Sequence, residues 1–167
     1  PGRGQPSPIG VIGGAVSGAI RAALETAAQD EPVNAVVMRV NSPGGSAEAS
    51  EVILNAARQV QTNKPLVVSM GDVAGSGGYY IACAADSIFA NENTITASIG
   101  VVGGQLVTQD MWHKLGINWV GYKRGANADI LTGAQAFTDA HKQSFEQYMR
   151  TIYDVIKGHV DKCPGSR

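Results

Sequence analysis

The sequence lacks the features that mark several large classes of protein. It has only two cysteines in 167 residues, Cys83 and Cys163, too few and too differently placed for a disulfide framework. Its formal net charge of -1 provides no basic field that would attract nucleic acid or an anionic membrane surface. No run approaches the roughly 18 apolar residues that a membrane-spanning helix needs. We therefore expect this chain to be soluble and to bind no nucleic acid.

Two further absences argue against a metal site and a phosphate-binding loop. No cluster of His, Cys, Asp and Glu has the spacing of metal ligands. The Gly-rich stretch Gly71–Gly78 is not followed by the Gly-Lys-Ser/Thr of a phosphate-binding loop. We therefore expect neither a metal nor another cofactor.

The ends of the chain differ from its middle. Residues 1–8 hold three prolines and two glycines, begin without Met and show no periodicity, so we expect a linker or disordered leader there. Residues 9–160 have the length of one domain, and 161–167 form a tail. We expect the chain to be a fragment of a longer protein.

Apolar patterns between these ends alternate between strand and helix. Continuous or alternating β-branched runs predict strands at 9–14, 35–40, 66–70, 87–90 and 117–122. Apolar residues at a 3.6-residue period predict helices at about 15–30, 47–62, 79–85, 107–115 and 139–158, with Ser46 as the cap of the second. Residues 94–104 suit a strand or a loop, and 123–138 a loop. The succession predicts an α/β fold with a parallel sheet.

A Gly-rich segment with one serine, Gly71–Tyr80, is the most distinctive stretch of the chain. It follows the predicted buried strand at 66–70 and leads into a predicted helix. A strand, a tight turn and a helix in succession expose the hydroxyl of Ser76 and place backbone N–H groups beside it, as acyl transfer requires. Taken alone, however, a serine in such a turn is usually only a turn residue or a helix cap.

A second Gly-rich turn, Asn41–Gly45, also joins a predicted strand to a predicted helix. In a parallel sheet both turns lie at the carboxyl ends of strands, where the sites of open α/β folds form. Acyl transfer needs a nucleophile and N–H donors about 3 Å from the developing oxyanion. Ser76 can supply the nucleophile and Gly77 one donor. Gly44 or Gly45 can supply a second donor from the neighbouring turn.

Three segments resemble the motifs of one family in order and spacing: Asn41–Ser46, Ser69–Tyr80 and Thr94–Val101. The family is the bacterial signal peptide peptidase A family, of the ClpP/crotonase fold group, and the similarity runs from about Ile9 to the last helix. It implies repeated β-β-α and βαβ units with a mostly parallel sheet and flanking helices. It also implies a serine endopeptidase that cleaves hydrophobic peptides such as residual signal peptides.

The resemblance assigns roles to individual residues. Ser76 matches the nucleophile, and Ser98 matches a serine that helps to position the general base. Gly77 matches one oxyanion donor, and Gly45 rather than Gly44 matches the other. The general base of the family is a buried neutral lysine whose pKa is lowered by desolvation.

The position that matches this lysine in single-domain members holds Ala128, within a segment, Tyr122–Ile130, that resembles the family motif. Alanine cannot take a proton. Lys123 matches a non-catalytic lysine of the same motif, and Lys64 and Lys114 fall at predicted surface ends of elements. Tandem members of the family place the lysine in an amino-terminal domain and the serine in a carboxyl-terminal one. We therefore expect this chain to be the serine-bearing half and to be inactive in isolation.

The histidines do not offer a replacement base. A ClpP-type Ser-His-Asp triad needs a histidine soon after the serine, and the first is His113, in a predicted surface helix. His141 and His159 belong to the last helix, where we expect both to face solvent.

Two alternative functions stay open beside the protease. Ala128 is compatible with a catalytically incomplete module that binds peptides or supports oligomerisation. A crotonase-like acyl-CoA enzyme would share the oxyanion geometry without a nucleophile, although the serine of the turn argues against it. As partners, the resemblance implies peptide substrates together with a homo-oligomer, a lysine-bearing N-terminal domain, or both. It also implies a membrane-associated place in the bacterial cell envelope, with the catalytic domain facing the periplasm or the exterior.

Overall fold

A computed structural model of the chain describes residues 16–133 and 135–164. The predicted strand at 9–14 lies outside the described residues. Two compact units are present, of which the first comprises residues up to Gly100 together with those from Val155 onward. The second comprises Val101–Asp154.

The first unit is built on a parallel sheet. Within the described residues its strands are β1 (Val36–Ser42), β2 (Leu66–Gly75), β3 (Ser87–Phe89) and β4 (Ile95–Ala97). β1 pairs with one edge of β2, while β3 and β4 pair with the start and the end of its other edge. The predicted α/β fold with a parallel sheet is therefore confirmed.

In the part of the chain that the structure describes, five helices occupy the positions that apolar periodicity predicts. They are α1 (Ser17–Gln29), α2 (Ala47–Gln61), α3 (Gly77–Ala82), α4 (Gln109–Lys114) and α5 (Asp139–Val160). Ser46 caps α2 as predicted, because its hydroxyl accepts a hydrogen bond of 3.2 Å from the N–H of Ala49. Among the described helices, none has both the length and the apolar character needed to cross a lipid bilayer.

The core of the first unit lies between α2 and β2. Ile53, Leu54 and Val60 on α2 and the alternating residues Leu66 and Val68 on β2 are fully buried there. The helical period of α2 and the two-residue period of β2 place these side chains on facing surfaces. Their burial fixes β2 and, with it, the turn that follows the strand.

The carboxyl end of β2 carries an irregularity that positions this turn. Val40 pairs with Met70, but Ser42 pairs with Ala74, so β2 contains two extra residues between these pairs. Asn41 Oδ1 accepts a hydrogen bond of 3.1 Å from the N–H of Val73 across this bulge. The strand therefore continues to Gly75, beyond its predicted end at residue 70.

Residues 117–122 do not form the predicted strand, although their apolar residues alternate. They belong to the second unit, whose described residues contain no strand to pair with their backbone groups. Trp119, Val120 and Tyr122 are all largely exposed. The described part of 123–138 is a loop of turns and bends, as predicted.

Candidate active site

Ser76 lies between the end of β2 and the start of α3 in a conformation that L residues seldom adopt, with φ 49° and ψ -117°. Such a conformation costs on the order of 1–3 kcal/mol and persists only where its surroundings impose it. Here the N–H of Ser76 donates a hydrogen bond of 2.8 Å to the carbonyl oxygen of Ala97, at the end of β4. The Ser76 side chain makes no capping bond to α3, so a capping role does not explain the serine.

The turn after β1 lies directly against the Ser76 turn. A Cβ built on Gly44 would be 2.7 Å from Ser76 Cβ and 2.8 Å from the backbone nitrogen of Gly77. Gly44 has φ 108° and Gly45 has φ 151°, a region that favours glycine. The close approach of the two turns therefore depends on the absence of a side chain at Gly44.

The backbone N–H groups of this turn differ in their partners. The N–H of Gly44 donates a hydrogen bond of 3.2 Å to the hydroxyl of Ser42. For the N–H of Gly45, no acceptor is found within residues 16–133 and 135–164. Gly77 is the first residue of α3, so its N–H has no acceptor inside the helix. Gly45 and Gly77 therefore each have an N–H group without an acceptor among the described residues.

The start of α3 packs closely on the β1–α2 region. A Cβ on Gly77 would lie 2.5 Å from Ser50 Oγ, and one on Gly78 would lie 2.5 Å from the carbonyl oxygen of Ser42. Ser50 is buried, and its hydroxyl donates to the carbonyl oxygen of Ser46 over 3.0 Å. Sequence reasoning missed Ser50, whose only signal is its position one helical turn after the cap.

Ser98 follows β4 and lies beside the residue that precedes Ser76. Its Cβ is 3.6 Å from the position that a Cβ on Gly75 would take. Ala97 and Ser98 have φ 67° and 51°, two successive left-handed residues without glycine. Ser76, Gly77, Gly45 and Ser98 thus lie together in the first unit.

Ala128 and Lys123, the two residues of the lysine motif, lie in the second unit. Ala128 lines a cavity of about 530 Å³ whose wall includes Trp112 and Trp119. Lys123 donates a hydrogen bond of 2.7 Å to Asp129 Oδ2, which lowers the pKa of the Asp129 carboxyl. This ion pair engages the ammonium group of Lys123.

Lys64 is also engaged. Its Nζ donates to the carbonyl oxygens of Ala27, over 2.7 Å, and Asp30, over 2.5 Å, at the end of α1. These bonds place the side-chain nitrogen of Lys64 against the carbonyl groups that end the helix. They leave Lys64 a structural role.

The prediction that His141 and His159 face solvent is wrong. His141 is buried at 6% exposure, with its ring edge against Phe137. The side chain of His159 is 17% exposed and contacts Arg58 and Tyr80. The prediction failed because contacts from other elements cover the faces of α5 that carry these two residues. Within the described chain, no group of three or more His, Cys, Asp and Glu could hold a metal ion.

Comparison with known proteins identifies relatives of this chain. Residues 58–163 match the model of peptidase family S49. Protease 4 of Haemophilus influenzae is 40% identical over 83% of this chain and 23% of its own length. The chloroplastic serine protease SPPA of Arabidopsis thaliana is 34% identical over 86% of this chain and 21% of its own length. The putative signal peptide peptidase SppA of Enterococcus faecium is 33% identical over 83% and 41%.

The chain therefore spans about a fifth to two fifths of the length of these relatives. Among solved structures, it is similar to a putative enoyl-CoA hydratase/isomerase from Acinetobacter baumannii. The TM-score is 0.46 at 20% identity, over 87% of this chain and 79% of the other.

Proposed function

The chain belongs to peptidase family S49, and we propose that it is the serine-bearing part of a serine endopeptidase. The observation that carries the proposal is the Ser76 turn. Its hydroxyl is not used to cap α3, and the N–H groups of Gly45 and Gly77 stand beside it without intrachain acceptors among the described residues. A strained serine between a strand and a helix, with two donors nearby, fits nucleophilic attack on a carbonyl.

The chemistry then follows an acyl-enzyme route. Ser76 Oγ attacks the carbonyl carbon of the scissile peptide bond as its proton passes to a base. The resulting oxyanion accepts hydrogen bonds from the N–H groups of Gly45 and Gly77. The amine leaves with a proton, and water then hydrolyses the ester on Ser76. In this proposal Ser98, whose Cβ lies beside Gly75, orients the base.

The base in this proposal is a lysine of another domain or subunit. Ala128 has no group that takes a proton, and Lys123 and Lys64 are held as donors to oxygen atoms. An isolated chain would therefore activate Ser76 poorly. A tandem protein, in which a related domain supplies the lysine, meets this requirement and agrees with the short span of the chain relative to its relatives.

We further propose that the substrates are extended hydrophobic peptides, including residual signal peptides, cleaved at the bacterial cell envelope. The family membership and the name of the Enterococcus relative support this assignment.

The test is reaction of the full-length protein with a serine-directed fluorophosphonate, followed by peptide mapping. We expect labelling at Ser76, its loss in Ser76→Ala, and unchanged labelling in the control Ser87→Ala on β3. Ser76→Ala should lose cleavage of a hydrophobic peptide, and Ser87→Ala should retain it. Peptide cleavage that survives in Ser76→Ala would overturn the proposal.

A second candidate function is a non-catalytic module that binds peptides or supports assembly. Ala128, in the place of the base, favours it. Adding the lysine-bearing domain to the isolated chain distinguishes the two functions. Labelling of Ser76 that appears only on addition supports the split site, and absence of labelling in both cases supports the module.

A further inference from the structure

The two cysteines of the chain meet in the first unit. Cys83 caps the carboxyl end of α3, and Cys163 lies just after α5. Their side chains hydrogen-bond to each other, and the residues are only 6% and 4% exposed. The chain folds back at α5 and brings together residues far apart in sequence.

Tyr79 makes the environment of the two thiols unequal. Its carbonyl oxygen accepts a hydrogen bond of 3.4 Å from Cys83 Sγ, whereas its side chain hydrogen-bonds with the thiol of Cys163. Burial and the adjacent sulfur atoms raise the pKa of Tyr79 to about 12, so its hydroxyl stays protonated and donates at neutral pH. The contact with Cys83 and then the hydrogen bond with the Tyr79 hydroxyl lower the pKa of the Cys163 thiol, against the opposing effect of burial.

We propose that Cys83 and Cys163 form a reversible disulfide, in which Cys163 reacts first and Cys83 resolves the intermediate. The two cysteines can pair because their thiols already lie in contact. Cys163 reacts first because the Tyr79 hydroxyl hydrogen-bonds with its thiol. The bond would tie the chain after α5 to α3, the helix that begins directly after Ser76. This proposal does not depend on the proposed protease function.

The oxidant is a small-molecule disulfide such as oxidised glutathione. The Cys163 thiolate attacks one of its sulfur atoms, the small disulfide bond breaks, and one thiolate leaves. Cys83 then gives up its proton, which the departing thiolate can take, and attacks the Cys163 sulfur. The second small thiolate leaves and is protonated by solvent. Cys83 and Cys163 together lose two electrons and two protons, and one small disulfide becomes two thiols.

Oxidation should stabilise the fold. The bond closes a loop of about 80 residues and so restricts the unfolded chain far more than the folded one, where the thiols already meet. We expect the Tm to rise by roughly 5 °C or more. A reductant such as dithiothreitol should reverse the change.

The experiment equilibrates the chain with mixtures of oxidised and reduced glutathione, quenches it by alkylation and measures intact and peptide masses. We expect a monomer lighter by two hydrogens, with Cys83 linked to Cys163 and a raised Tm. Two free thiols at the most oxidising ratio, or disulfides only between separate chains, would overturn the proposal.

Single variants test the order of reaction. Alanine suits both buried positions, and circular dichroism confirms folding. Cys83→Ala should accumulate glutathione on Cys163, while Cys163→Ala should react at least several-fold more slowly at Cys83. Tyr79→Phe in the Cys83→Ala background should slow the reaction of Cys163, whereas the control Tyr148→Phe, on the exposed face of α5, should not. Equal reaction rates at the two cysteines would refute the assigned order.

Discussion

Arg58 donates a hydrogen bond of 2.7 Å from its guanidinium group to Nδ1 of His159. Arginine has only donors, so Nδ1 is an acceptor, and the neutral ring carries its proton on Nε2. This nitrogen lies 3.7 Å from Glu51 Oε2, and the ring meets that of Tyr80 edge-on at 5.2 Å. His159 thereby connects the end of α5 to α2 and α3.

We predict that this contact makes the stability of the chain fall as the pH is lowered below about 6.5. Burial first, and then the charge of Arg58, hold the pKa of His159 below its ordinary value, against the opposing effect of Glu51. The unfolded chain takes up a proton on His159 near pH 6.5, and the folded chain does so only at lower pH. Protons therefore favour unfolding in that window, and above it the contribution of His159 is complete.

Urea unfolding at a series of pH values between about 5 and 8 measures the effect. The variant His159→Gln should lose part of the dependence in the window below pH 6.5, because glutamine does not titrate. The control His113→Gln, exposed on α4, should keep the wild-type profile. Identical profiles for the wild type and His159→Gln would show that this histidine does not couple protonation to folding.

Gly44→Ala should destabilise the chain and abolish the reactivity of Ser76. The new methyl group would lie 2.7 Å from Ser76 Cβ, and φ 108° is strained for alanine whatever the space. We expect a loss on the order of 2–4 kcal/mol in the free energy of unfolding. Urea unfolding and fluorophosphonate labelling in the full-length protein measure the two effects.

Gly18→Ala is the matched control for this substitution. Gly18 lies on the exposed side of α1, and a Cβ there would meet no atom within 4 Å. We expect it to stabilise the chain by about 0.5–1 kcal/mol, because alanine favours the helix, and to leave labelling unchanged. If Gly44→Ala behaved like Gly18→Ala, the two turns could not be in the contact described.

Local signals allowed the helices and most strands of the first unit to be predicted. The Ser46 cap and the apolar stripe of α2 act over a few residues, so they can be read directly from the sequence. The end of β2 could not be predicted, because its bulge depends on a side chain of β1, Asn41. Residues 117–122 have the alternation of a strand, but alternation cannot supply the neighbouring strand that pairing requires.

The candidate site could likewise be predicted only in part. The sequence indicates that Ser76 and Gly77 share one turn, and the resemblance singles out Gly45. The sequence does not show how the two glycines of the neighbouring turn differ. In the structure the N–H of Gly44 donates a hydrogen bond to the hydroxyl of Ser42. The meeting of Cys83 with Cys163 depends on packing of the chain after α5, which no local pattern encodes.

Asn41→Ala should weaken the turn before Ser76 without opening the core. The N–H of Val73 loses its acceptor in the bulge of β2, so the strand that leads to Ser76 is held less firmly. We expect a loss of about 1 kcal/mol in stability and a several-fold slower reaction of Ser76 with fluorophosphonate. Asn41→Asp keeps an acceptor oxygen and should retain most of both properties. Equal effects of Asn41→Ala and Asn41→Asp would show that this hydrogen bond does not hold the turn.

Ser76→Gly should be more stable than Ser76→Ala, although neither variant can react as a nucleophile. The backbone of Ser76, at φ 49° and ψ -117°, is strained for serine and for alanine but open to glycine. Glycine loses more chain entropy on folding, which offsets part of this gain, so we expect a difference of about 1 kcal/mol between the variants. Urea unfolding of both, beside the control pair Ser87→Gly and Ser87→Ala on β3, measures it. In the control pair alanine should be the more stable. The same order at position 76 would mean that the turn holds no backbone strain that glycine could relieve.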